Sequence, residues 1–184
     1  VTGHAFLAIG LSDEERHALS AALHEASPGR LIPGKRQPPA NWHITLRFLG
    51  VCSEEAVDSI LHALDDSLDV TRGRVVCTHI DAFPKPSKAA VLYVGLQDTE
   101  QLVSRLAGLC EAVARDVGFE PQERPYVPHL TLSRLRPPQD VQRLIEAYEL
   151  FRAPIGISAI TLFRTRQSRS GLWYEPIETV ALES

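Results

Sequence analysis

The chain has 184 residues, 44% hydrophobic and 23% charged, with a formal net charge of −4 at pH 7. That composition is a globular domain's, long enough to bury about 70% of its unfolded surface without staples, and its charge excludes a broad nucleic-acid-coating surface while leaving room for a local basic cleft. No apolar run approaches the ~20 residues of a membrane helix, no basic-then-apolar segment opens the sequence as given, and Cys52, Cys77 and Cys110 lack the spacing of a disulfide framework or a zinc knuckle; a cytoplasmic monomer is expected.

In chain order, "HAFLAIGL" (4–11) is predicted to be a buried strand. The helix that follows opens on Ser12 and Glu15 in capping-box positions, with Leu19, Ala22, Leu23 and Ala26 on one face. Residues 27–40 are rich in Pro and Gly and are expected to form a loop. A strand "WHITLRFL" (42–49), a helix striped by Val57, Ile60, Leu61, Leu64 and Leu68, and a strand "GRVVCTHIDAF" (73–83) complete the first half. The order then repeats: a strand at 89–96, a helix from an Asp98 N-cap to a Gly118 stop, a strand "HLTLSRL" (129–135), a short helix near 139–149, and strands near 154–163 and 172–181. Each half thus holds its own pattern of strands and helices, and the boundary of the repeat is expected near 83–88. One domain, 1–184, is expected to contain both halves. The densest positive stretches are "GKRQ" (34–37) and "FRTRQSR" (163–169).

The pattern H-x-T-L occurs twice, at His43 and at His129. Chance would supply roughly 0.04 matches in a chain of this composition, so the repetition needs a cause. Side chains alternate along a strand. His43 and Thr45 therefore share one face and Ile44 and Leu46 the other, as do His129 and Thr131 against Leu130 and Leu132. Two halves related by a pseudo-two-fold axis would bring both His–Thr pairs to one groove. An imidazole titrates near pH 6.5, so one ring can accept a proton while its partner donates one. In-line displacement at phosphorus needs such groups on opposite sides, with hydroxyls to hold the non-bridging oxygens. Catalytic zinc would want a third protein ligand near either motif, and the sequence offers none there; no metal and no cofactor are expected. By the same parity Arg47 shares the His43 face. His4, just ahead of the first apolar run, could approach the groove.

With "FLAIGLS", "NWHITLRFLG", "FPKPSKAAVLYVGL", "RPYVPHLTLSR" and "SGLWYEP", nearly the whole chain resembles the 2H phosphoesterase superfamily, and in it the RNA 2′,3′-cyclic phosphodiesterases, also called 2′-5′ RNA ligases. The resemblance implies an α+β bilobal fold, two pseudo-symmetric lobes each with an antiparallel sheet flanked by helices, and an active groove between them. It implies hydrolysis of RNA or nucleoside 2′,3′-cyclic phosphates to 2′-phosphates, His43 as general acid, His129 as general base, and Thr45 and Thr131 on phosphate oxygens. It also implies a phosphate contact from Arg134, which strict alternation would place opposite His129; that contact requires the strand to end or twist. Where the family often has Ser near the end of the last long strand, this chain has Thr165. The alternatives are the reverse reaction, a 2′-5′ RNA ligase, and a catalytically silent nucleotide-binding module.

Overall fold

The computed structural model describes residues 3–184. Its strands are β1 (Gly3–Gly10), β2 (Lys35–Arg36), β3 (His43–Cys52), β4 (Gly73–Phe83), β5 (Ala89–Gln97), β6 (His129–Gln139), β7 (Ala153–Ile157), β8 (Ala159–Ser168) and β9 (Gly171–Ala181). Its helices are α1 (Asp13–Ala26), α2 (Glu54–Ser67), α3 (Leu102–Asp116) and the short α4 (Gln142–Glu146).

Local chemistry sets the helix ends. Ser12 Oγ accepts from the Glu15 N–H at 3.1 Å while the Glu15 carboxylate accepts from the Ser12 N–H at 2.8 Å, so both halves of the capping box form on α1. Asp98 caps α3 from farther back than expected: its carboxylate accepts from the N–H groups of Val103 and Ser104, across Gln101 in a left-handed conformation. Gly118, at φ 105°, ends the same helix where the sequence predicts a stop.

The strands form two antiparallel sheets, in the order β3-β1-β8-β9 and β2-β6-β5-β4-β7. Aligning the two orders matches β3 with β6, β1 with β5, β8 with β4 and β9 with β7, which leaves β2 as an addition to the second sheet. The α+β class and the paired sheets agree with the expectation. The sheets do not follow the halves of the sequence. β4 and β5, on either side of residues 83–88, pair with each other in one sheet, so the sheets do not part there. The first sheet takes β1 and β3, the second takes β4 to β7, and the chain returns to the first at Ser158, between β7 and β8. The strand expected near 154–163 is therefore two strands, one in each sheet. Residues 35–36, expected to be loop, form the edge strand β2.

Helices bind the sheets together. α1, which follows a strand of the first sheet, packs on β7 of the second; α3, which follows β5, packs on β3 of the first. The larger of two core clusters among the described residues spans both sheets, holding Leu7, Ile44 and Leu162 from one with Leu130, Val94 and Ile155 from the other. No described helix is long and apolar enough to cross a membrane.

Candidate active site

The two H-x-T-L strands share a local irregularity. Ala8 lies opposite Thr45 and Leu7 opposite Arg47, so Leu46 is an extra residue in β3. Tyr93 lies opposite Thr131 and Leu92 opposite Ser133, so Leu132 is an extra residue in β6. The final Leu of each repeat is a β-bulge, and a bulge reverses the facing of the residues that follow it up to the next irregularity. In β6 this buries Ser133 and Leu135 and leaves Arg134 exposed. Arg134 acts electrostatically on both His43 and His129, which places it by the groove. The bulge supplies what the resemblance required of Arg134 without ending the strand.

The same bulge removes Arg47 from the groove. Arg47 is 6% exposed; its guanidinium pairs with Glu111 of α3 and donates to the carbonyls of Phe48 and Glu120. The parity reading of Arg47 is thus corrected: alternation fails at Leu46, and the side chain points into the packing against α3. Phe48 takes the groove-facing position equivalent to Arg134, stacked on Phe6 with ring centroids 6.3 Å apart. His4 lies beyond it, 6.2 Å from the Phe48 ring.

Each histidine has its tautomer set by the backbone two residues earlier. His43 Nδ1–H donates to the Asn41 carbonyl at 2.8 Å, and His129 Nδ1–H donates to the Val127 carbonyl at 2.7 Å. A carbonyl only accepts, so Nδ1 carries the proton and Nε2 is the reactive nitrogen of each neutral ring. The Thr45 hydroxyl lies 2.9 Å from His43 Nε2. The carbonyls are themselves anchored. The Asn41 side chain donates to the Leu172 carbonyl in β9, and Tyr126, next to Val127, donates its hydroxyl to the Thr45 carbonyl at 2.8 Å. The segment that positions His129 is thereby tied to the strand that carries His43.

Aromatic rings close around both imidazoles. His43 lies 4.8 Å from Phe6 and meets the edge of Tyr174 at 5.0 Å and 85°. His129 meets Phe83 at 5.0 Å and 85° and Tyr93 at 5.4 Å. Burial among these rings is the largest cause holding His43 down, to about 4, with the charges of His129 and Arg134 adding to it and the Asn41 carbonyl opposing. Burial, then Arg134, also lowers His129, against the Val127 carbonyl. Both rings are neutral at neutral pH in the free protein.

His43, Thr45, His129, Thr131 and Arg134 therefore lie on groove-facing strand positions, and Arg47 does not. The sequence reading missed Phe6, Phe83, Tyr93 and Tyr174, which come from four strands whose convergence no local pattern reveals. Around the two histidines the neighbours are aromatic, hydroxyl and guanidinium groups, and among the described residues no group of three or more His, Cys, Asp or Glu is arranged to hold a metal ion.

A family model described as the 2′-5′ RNA ligase superfamily matches residues 34–169. The RNA 2′,3′-cyclic phosphodiesterase of Aeropyrum pernix is 29% identical over 168 residues, 89% of this chain and 95% of that protein. The protein of the same name from Methanothermobacter thermautotrophicus is 29% identical over 186 residues, covering 97% of this chain and 98% of its own length. Among solved structures, E. coli LigT complexed with 3′-AMP superposes over the full length of both chains with a TM-score of 0.79 at 21% identity. TT0787 of Thermus thermophilus covers 97% of each chain with a TM-score of 0.76 at 24% identity.

Proposed function

The chain belongs to the 2′-5′ RNA ligase superfamily, and from that premise we propose that it hydrolyses RNA or nucleoside 2′,3′-cyclic phosphates to 2′-phosphates by paired-histidine acid–base catalysis, without a metal. The observation that carries the reading is the duplicated device: two imidazoles, each with Nδ1 committed to a carbonyl and Nε2 left for chemistry, with Arg134 acting on both. The names of the relatives support the substrate class.

In this mechanism the hydroxyls of Thr45 and Thr131, with Arg134, hold the non-bridging phosphate oxygens. His129 Nε2 takes a proton from water as it attacks phosphorus, and His43 Nε2–H gives one to the departing 3′-oxygen. The free protein holds both rings neutral, so the proton on His43 comes with the substrate: a phosphate anion beside a depressed imidazole favours the charged ring and raises its pKa. Thr45, bonded to Nε2 in the free protein, is released toward the phosphate as that nitrogen turns donor. That no group of three or more His, Cys, Asp or Glu among the described residues is arranged to hold a metal ion supports metal independence. The buried free cysteines fit a reducing, cytoplasmic setting. A ribose 5′-hydroxyl in place of water would form a 2′-5′ bond with the same residues, which is the ligase activity that the family's description names.

Incubating the protein with a 2′,3′-cyclic nucleotide in EDTA and resolving the products by phosphorus NMR tests the reading. A single 2′-phosphate isomer is expected, because a site that holds phosphate rigidly loses roughly 10²-fold for a misplacement of about 1 Å. A 3′-phosphate would mean that the histidines' roles are exchanged, and no turnover without added metal would overturn the metal-free mechanism.

A further inference from the structure

The two densest basic stretches of the sequence meet opposite fates. In the second, Arg164 is buried and paired with Glu54 at 2.9 Å, and Arg166 is paired with Glu175. In the first, Lys35 and Arg36 are exposed, and among the described residues no carboxylate pairs with either or with Arg134.

Lys35 and Arg36 are nevertheless held in place. They form β2, the edge strand with no counterpart in the first sheet. The Gln37 N–H donates to the Leu132 carbonyl at 2.8 Å, and the Ser133 hydroxyl donates to the Pro33 carbonyl at 2.7 Å. Gly34, at φ 81°, lets the strip close on β6; a Cβ there would come within 2.5 Å of the Arg134 carbonyl oxygen. Lys35 lies directly opposite Arg134, and directly opposed residues share a face. Two cations are thus set side by side across a ladder, an arrangement that destabilises a sheet unless an anion lies between or above them.

That face opens into a cavity of about 360 Å³ lined by Lys35, Arg36, Arg134, Asn41, Tyr174 and Ser170, with no carboxylate in its wall. Asn41 and Tyr174 are the residues that hold and flank His43, so the cavity leads off the groove on the His43 side. If His43 serves the 3′-oxygen, the nucleoside lies on this side too. Lys35 stands one strand beyond Arg134, roughly 4.8 Å farther out along the sheet, so a second anion can be held beside one at Arg134.

We propose that Lys35, with Arg36 at the rim, binds the phosphate on the 5′-oxygen of the nucleotide whose cyclic phosphate reacts, so that the site selects an RNA 3′ end over a free nucleoside 2′,3′-cyclic phosphate. This rests on the function proposed above and names its substrate class. The test compares kcat/KM for adenosine 2′,3′-cyclic phosphate with and without a 5′-phosphate. The wild-type protein is expected to favour the 5′-phosphorylated form by about tenfold or more, the scale of one charge-assisted contact. Lys35→Glu should bring the ratio to about one or below, and Lys35→Arg should retain it. A wild-type ratio near one overturns the proposal, as does a Lys35→Glu variant that slows both substrates equally. The affinities of adenosine 2′,5′-bisphosphate and adenosine 2′-monophosphate, measured by calorimetry, read the same subsite without turnover. Were neither cyclic substrate hydrolysed, the proposed reaction would fall while the affinity ratio still decided the subsite.

Discussion

At the bulge in β3, Arg47 turns into the packing against α3 and Phe48 turns toward the groove; at the matching bulge in β6, Ser133 turns inward and Arg134 outward. The backbones repeat, and the side chains they present do not. The His43 side is walled by Phe6, Phe48 and Tyr174, the His129 side by Phe83 and Tyr93; the second strand also carries Arg134 and, paired to it, the basic strip whose cavity opens beside the neighbours of His43. A duplicated strand supplies two imidazoles in matching geometry, and the residues past the bulge make their surroundings unequal. Opposite proton-transfer duties need that inequality.

The largest expected effects fall where the strands are alike. His43→Ala and His129→Ala should each lower kcat by about 10²–10⁴, and Thr45→Ala and Thr131→Ala by roughly 10–10³, measured on a 2′,3′-cyclic nucleotide. Near-wild-type turnover in either histidine variant would break the pairing.

The two arginines separate the strands. Arg134→Met is expected to reduce kcat/KM by about 10–10² without lowering the urea midpoint, which rises slightly as the repulsion from Lys35 is lost. Arg47→Met removes the pair with Glu111 and two carbonyl contacts and should cost about 1–3 kcal/mol in denaturation, with turnover of the folded protein largely kept. Exchanged outcomes would mean that the bulges do not set the facing of these side chains.

The smallest effect is a displacement in pH. Both imidazoles are depressed in the free protein, and the proposed mechanism needs one protonated and one neutral. The profile of kcat/KM, which reports the free protein, should be bell-shaped with its alkaline limb below the ordinary imidazole value of about 6.5. Bound phosphate raises both values, so the alkaline limb of kcat should lie at higher pH. The apparent values belong to the coupled pair. An alkaline limb of kcat/KM above about 7 would contradict burial as the governing cause.

Much of this was legible in the sequence for a physical reason: period-two alternation and capping are local. The paired motifs, the strand faces up to Thr45 and Thr131, and the Ser12 cap all follow from a few adjacent residues. The bulges at Leu46 and Leu132 depend on pairing with β1 and β5, and nothing within "HITLRF" marks them. The parity reading of Arg47 fails there, and the facing of Arg134 could be inferred only by analogy. The partition of strands between sheets is likewise a matter of long-range pairing: β4 pairs with β5 across the repeat boundary near 83–88.

The claim that the matching strands carry opposite duties is tested most directly with a substrate whose 3′-oxygen is replaced by sulfur. A thiolate leaves without a proton, since a thiol titrates near 8.5, so only the general base is still required. His43→Ala should then hydrolyse the 3′-thio cyclic nucleotide at close to the wild-type rate, while His129→Ala remains slowed by about 10²–10⁴. Equal defects in the two variants, or rescue of His129→Ala instead, would contradict the assignment of acid to β3 and base to β6.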